Sequence, residues 1–301
     1  MLRTLFSGLV ALMVALANAP AALNVVATTP DLASIAREIG GAKVEITTLA
    51  RPTEDPHFVE PKPSFVVKLN RADALIEGGA ELELGWLPPL LEGARNPKLA
   101  AGQPGRIVCH QGLQLLGVPE KADRSQGDLH ALGNPHYATD PLNGRRIAQT
   151  IAEAFCRLDP ASAEFYRANL SRFQAALDAK TQEWQKLLEP FRGRHVITYH
   201  DYWPYFAARF GLRMDIFLEP KPGIPPTPAH LTEVVKQMKD AGIRVVVAQP
   251  YVSRRSAETV ARLTGATVLD LPAQPGGKEA ERYLDWLDLV VRSLAKALGN
   301  S

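Results

Sequence analysis

The chain has 301 residues, and 34 Lys+Arg against 32 Asp+Glu give a formal charge of +2. Hydrophobic residues make up 46% and charged residues 22%, ordinary globular values that exclude disorder, collagen and a long coiled coil as whole-chain descriptions. The even charge balance leaves no footprint for nucleic acid or an anionic membrane surface, and two cysteines are too few for a disulfide scaffold or a four-cysteine zinc module.

The chain opens with Arg3 and an apolar run over 5–17. That run, about 13 residues, is too short to span a bilayer and suits the core of a signal peptide. Small residues around Ala19-Pro20-Ala21 place the cut after Ala21 or Ala22, so 1–22 is expected to be removed on export to the periplasm. The absence of a cysteine near that cut speaks against a lipid anchor. An exported compartment permits disulfides, which leaves a Cys109–Cys156 bridge as an open question.

Beyond residue 22, short β-branched runs alternate with helical patterns. Strands are predicted over 24–28, 44–49, 74–77 and 107–109, then over 195–199, 214–218, 245–248 and 266–269. Helices are predicted over 32–39, 64–69, 144–156, 229–241 and 256–263. Such alternation gives parallel sheets flanked by helices, so each half reads as a small α/β lobe, 23–158 and 192–301. Between them, Tyr166, Leu170, Phe173, Leu177, Trp184 and Leu188 recur at spacings of three and four with one polar gap. This predicts one amphipathic helix over 159–191, about 30 residues and about 45 Å long. Asp159-Pro160 marks its start and Pro190 with Gly193 its end. It would act as a rigid spine that permits modest lobe adjustment rather than wide hinge motion.

In open α/β sheets ligands bind beyond the carboxyl ends of the strands. His57 lies in the loop after the 44–49 strand, and His136 in the long loop after 107–109. His200 and Asp270 directly follow the strands over 195–199 and 266–269. Two metal-type side chains per lobe therefore fall on the edge where a cleft would lie. Three imidazoles and one carboxylate suit a closed tetrahedral Zn2+ site, and disfavour Ca2+ and Mg2+, which prefer oxygen shells. Asp55, Glu60 and Asp140 are near enough in sequence to accept the second ring N–H of a ligand histidine. His110 is a weaker rival ligand, and His130 sits in a polar, glycine-flanked loop. His195 points to the opposite end of its lobe, and His230 starts a helix.

The ordered motifs Val26-Ala27-Thr28-Thr29, Asp55-Pro56-His57-Phe58-Val59-Glu60-Pro61 with Pro63-Ser64 and Ala72-Asp73, Asn134-Pro135-His136 with Asp140-Pro141, His200-Asp201-Tyr202 with Tyr205-Phe206, and Gly265 through Leu269-Asp270 span the mature chain. In this order the chain resembles the metal-binding solute receptors of ABC importers, the zinc/manganese group sometimes called cluster A-I. The resemblance implies two α/β lobes joined by one long helix, an ion held between them, and delivery to a permease in the cytoplasmic membrane. It implies His57, His136, His200 and Asp270 as ligands. His200 stands where manganese-associated members typically have glutamate, which resembles the zinc type. The segment 121–132 carries only His130 where many zinc members have a His-rich loop, and Gln249 stands where an acidic residue is common.

The expected function is thus a monomeric, non-enzymatic receptor for Zn2+, with Mn2+ or Fe2+ as the nearer alternatives. A zinc hydrolase would need an open coordination position and a base such as Glu60, and no H-E-x-x-H or G-x-S-x-G motif occurs. A receptor for an organic solute would use Trp203, Tyr202 and Tyr251 to line its cleft. An adhesin role finds no specific support in the sequence.

Overall fold

The computed structural model describes residues 22–119 and 130–300; the proposed signal peptide thus lies almost wholly outside the described residues. In the first lobe the strands β1 (Leu23–Ala27), β2 (Val44–Thr48), β3 (Ala74–Glu77) and β4 (Arg106–Val108) form one parallel sheet in the order β2-β1-β3-β4. The helices α1 (Pro30–Gly40), α2 (Pro63–Arg71) and α3 (Leu87–Ala94) connect them, and α4 (Pro141–Leu158) follows. Both faces of the sheet are covered: Val25 and Ala27 enter one core while Val26 enters another with Leu69, Leu75 and Trp86. A strand buried on both sides has no polar face, which is why β1 and β3 read as apolar runs rather than alternating ones.

The second lobe repeats the plan with looser pairing. β5 (Val245–Ala248) and β6 (Thr267–Asp270) form a parallel ladder. The segments predicted as strands over 195–199 and 214–218 do not form continuous strands: 195–199 meets β5 through the isolated parallel bridge of Ile197 with Val246, and 214–218 meets 195–199 through that of Thr198 with Phe217. Backbone bonds from Val247 N to Ile197 O (2.8 Å) and from Leu218 N to Thr198 O (2.8 Å) hold that array together. The helices α6 (Pro204–Phe210), α7 (Pro228–Asp240) and α8 (Arg254–Thr264) complete the lobe. The C-terminal helix α9 (Tyr283–Gly299), absent from the predicted elements, packs its Trp286, Leu287, Val290, Val291 and Leu294 into the interior.

The long linking helix is present as α5 (Ala163–Leu188), about 39 Å at 1.5 Å per residue. It is shorter than predicted because the proline-bearing segments Pro160–Ser162 and Glu189–Phe191 wind as 3₁₀ turns at its two ends. Its Tyr166, Phe173, Leu177, Trp184 and Leu188 join one hydrophobic core with α1 and α4 of the first lobe and α9 of the second. Gly144 on α4 is required for this: a Cβ there would lie 2.3 Å from the Tyr283 hydroxyl, which donates to Ala138 O at 2.6 Å. The core is therefore continuous across the junction, and its cost of disruption opposes wide separation of the lobes.

Cys109 is buried and Cys156 half-buried, and both are free. The Cys156 thiol donates instead to Ala163 O at 3.6 Å. Among the described residues no helix is long and apolar enough to cross a membrane.

Trp184 is fully buried and donates its indole N–H to Asp288 at 2.9 Å. Trp184→Ala should lower unfolding stability by about 3–5 kcal/mol. Chemical denaturation measures this, and an unchanged midpoint would contradict a core continuous through α5.

Candidate metal centre

His57 is carried by the loop after β2. That loop cannot drift, because Trp86 donates its indole N–H to Pro56 O at 2.9 Å. Asp55 then orients the ring: its Oδ1 accepts from His57 N at 3.0 Å and from His57 Nδ1 at 2.9 Å. His136 precedes α4. Its own N–H is held by Asn134 Oδ1 at 2.9 Å, and its carbonyl accepts from Thr139 Oγ1 at 2.9 Å. His200 follows the bridged segment 195–199. Its Nδ1 donates to the buried carboxylate of Glu219, whose other oxygen accepts from Gly223 N at 3.2 Å.

The two lobes are tied together around these loops. Asn134 Nδ2 donates to Asp201 O at 2.7 Å, and the Tyr205 hydroxyl donates to Asn134 O at 2.6 Å. Asp140 caps α4 at Leu142 N and accepts both arms of Arg209 from α6, at 2.8 and 2.9 Å. The result is that one donor atom from each of His57, His136 and His200 lies within 4.8 Å of the others. The ring centroids are 5.0 to 5.5 Å apart, and His136 Nε2 is 3.2 Å from His200 Nε2. Nitrogens bound tetrahedrally at zinc distances are about 3.3 Å apart, so this pair is already at the spacing an ion requires.

Electrostatics prepare the rings. Burial, reinforced by the neighbouring imidazoles, pushes His136 well below the usual histidine value, so it is neutral near pH 7. His200 moves the other way: burial lowers it, but the hydrogen bond and negative charge of Glu219 outweigh that and raise it. Burial also opposes ionisation of Asp55, yet its bonds from His57 win and hold its carboxyl below the ordinary value. With Nδ1–H of His57 and His200 committed to carboxylates, their Nε2 lone pairs are left for a ligand.

Three of the four ligand residues read from the sequence are brought together, and Asp270 is not among them. It ends β6 as expected, but its exposed carboxylate is held by Arg254 at the start of α8. Of the three carboxylates proposed to orient rings, Asp55 does so. Asp140 serves α4 and Arg209 instead, and Glu60 is exposed. The sequence reading missed Glu219, although it closes an extended apolar segment just as Asp270 closes β6. It also undervalued His130, whose Nε2 is 3.1 Å from His57 Nε2 with the rings stacked at 5.1 Å. Burial lowers His130 to about 4. His110 is a structural acceptor for Ala80 N at 3.2 Å, while His195 pairs with Asp215 and His230 with the Phe217 carbonyl.

A pair of α/β lobes around one long helix, with imidazoles from both meeting at the sheet edges, is the layout of a metal-binding receptor. The sequence model of the family described as ZnuA, zinc-uptake complex component A, periplasmic, matches residues 25–297, and the chain belongs to that family. It is the substrate-binding component of a metal ABC importer and not an enzyme. It is 25% identical over 287 residues to the manganese ABC transporter substrate-binding lipoprotein PsaA of Streptococcus mitis, covering 91% of this chain and 90% of the relative. The iron-binding protein YfeA of Yersinia pestis is 26% identical over 287 residues, covering 92% and 86%. A crystal structure of ZnuA superposes with a TM-score of 0.80 at 28% identity, over 92% of this chain and 99% of that one. A ZnuA with residues 138–173 deleted and zinc bound gives 0.79, also at 28% identity, over 92% and 98%.

Glu219→Gln removes the charge that raises His200. The His200 imidazole should then titrate at lower pH in the metal-free protein, as followed by NMR of the ring protons. An unmoved titration would contradict the role assigned to Glu219.

Proposed function

We propose that this chain is a zinc receptor: it captures Zn2+ between its lobes through His57, His136, His200 and Asp270 and hands the ion to its membrane permease. The observation that carries this reading is the cluster of three imidazoles, His136 buried and His57 and His200 half-buried, the latter two with the second ring nitrogen on a carboxylate. Such an arrangement raises ligand basicity and fixes ring orientation. Nitrogen-rich sites favour Zn2+ over Mn2+ and Fe2+ by the Irving–Williams order. The manganese and iron names of the relatives support the second reading, the same receptor loaded with Mn2+ or Fe2+.

In the proposed loaded state Asp270 leaves Arg254 and turns its carboxylate to the ion. An exposed ion pair is a weak competitor, whereas a carboxylate brought to a dication closes the coordination shell and offsets charge. The ion would then bridge residues of the proposed lobes 23–158 and 192–301 and stabilise the folded chain by mass action. The single-chain site needs no second copy, in keeping with a monomer.

Elemental analysis and competition titration test the reading. About one zinc per chain is expected, with Mn2+ and Fe2+ failing to displace it at equal concentration; preferential retention of Mn2+ or Fe2+ would overturn the zinc assignment. His57→Ala, His136→Ala and His200→Ala should each weaken binding by more than about 100-fold, beyond the loss typical of outer-shell partners.

Ligand nitrogens must be unprotonated, so binding competes with protons. His200 holds its proton to higher pH than an ordinary histidine, while His136 gives it up early. As pH falls, His200 is therefore protonated before His136, and affinity should begin to decline above about 6.5, the unperturbed histidine value. Affinity measured from pH 8 to 5 checks this; a flat profile would contradict imidazole ligation.

A further inference from the structure

Tyr202, two residues beyond His200, is buried at 2% exposure. Its ring packs on the His136 ring, centroid to centroid 4.1 Å at 31°. Its hydroxyl donates to Ala273 O at 2.7 Å and accepts from Gln274 Nε2 at 2.7 Å. Gln274 is itself buried, and its Oε1 accepts from Asp31 N, at the first turn of α1, at 3.1 Å. One phenol thus touches three things at once: a histidine of the metal cluster, the segment that follows Asp270, and a carboxamide bonded to the other lobe.

That segment is pinned along its length. Leu271 N donates to Ala248 O at 3.0 Å, and Pro272 O accepts from the Trp286 indole at 2.7 Å. Leu271 and Ala273 are buried, whereas the Asp270 carboxylate alone stands in solvent with Arg254. The backbone of Asp270 is therefore held at the end of β6, and its carboxylate is tied only by the exposed pair with Arg254.

We propose that Tyr202 is a positioning residue that sets the backbone bearing Asp270 at a defined distance from His136, so that a side-chain rotation alone brings the carboxylate to the ion. This rests on the reading of Asp270 as the fourth ligand. Tyr202→Phe keeps the ring on His136 but deletes both hydroxyl bonds, leaving Ala273 O and Gln274 Nε2 without that partner. Gln274→Met tests the same link from the other side.

A double-mutant cycle separates positioning from general stability. Zinc affinity is measured by chelator competition for the wild type, Tyr202→Phe, Asp270→Ala and the double variant, with the melting temperature of each metal-free protein. Tyr202→Phe should weaken binding by about tenfold, the factor that corresponds to about 1.4 kcal/mol, and by less than about twofold when Asp270 is already alanine. Gln274→Met should follow the same pattern. Equal losses in both backgrounds, or no loss in the wild-type background, would overturn the positioning role while leaving Asp270 a ligand. Unchanged affinity in Asp270→Ala alone would overturn the ligand reading and this inference with it.

Discussion

Everything at the site depends on holding three imidazoles, drawn from two lobes, with ring nitrogens turned toward one another. Neutral rings so close have little mutual attraction, and charged ones would repel. The surrounding protein must therefore supply the order, and it does so with carboxylates behind the rings and hydrogen bonds between the loops. Asp55 and Glu219 fix two rings from behind. Asn134, Tyr205 and the Asp140–Arg209 pair join the His136 loop to the His200 side. A cation entering such a frame finds ligands already ordered, so little binding free energy is spent on arranging them.

The frame holds because the body beneath it is continuous. Helix α5 lends a row of large apolar side chains to a core shared by both lobes, and α9 closes over it. In many two-lobe receptors the lobes are joined by flexible crossings. Here, opening the cleft widely would expose that shared core. In the proposed loaded state, adjustment falls instead to a side chain at the rim, Asp270, which is paired with Arg254 in this structure.

Much of this was legible in the sequence. His57, His136 and His200 were visible because each follows a strand end, where parallel sheets present ligands. The threes and fours of Tyr166 to Leu188 marked α5, and its prolines explain why the true helix stops short. Other features were hidden for physical reasons. Helix α3, which carries Pro88 and Pro89 in its first turn, is absent from the predicted elements. The segments 195–199 and 214–218, predicted as strands, meet their neighbours only through isolated bridges, a pairing that has no sequence signature. The partnership of Glu219 with His200 arises only when two neighbouring strands align their ends. The period of α9 was present in the sequence, but its N-cap residue, Arg282, makes no side-chain capping bond to mark the start.

The most direct test of the central claim is X-ray absorption spectroscopy at the zinc edge of the loaded protein. The account predicts a four-coordinate shell of nitrogen and oxygen at about 2.0–2.1 Å, with the outer-shell scattering of three imidazole rings. A shell containing sulfur, or one dominated by oxygen with fewer than two imidazoles, would contradict it.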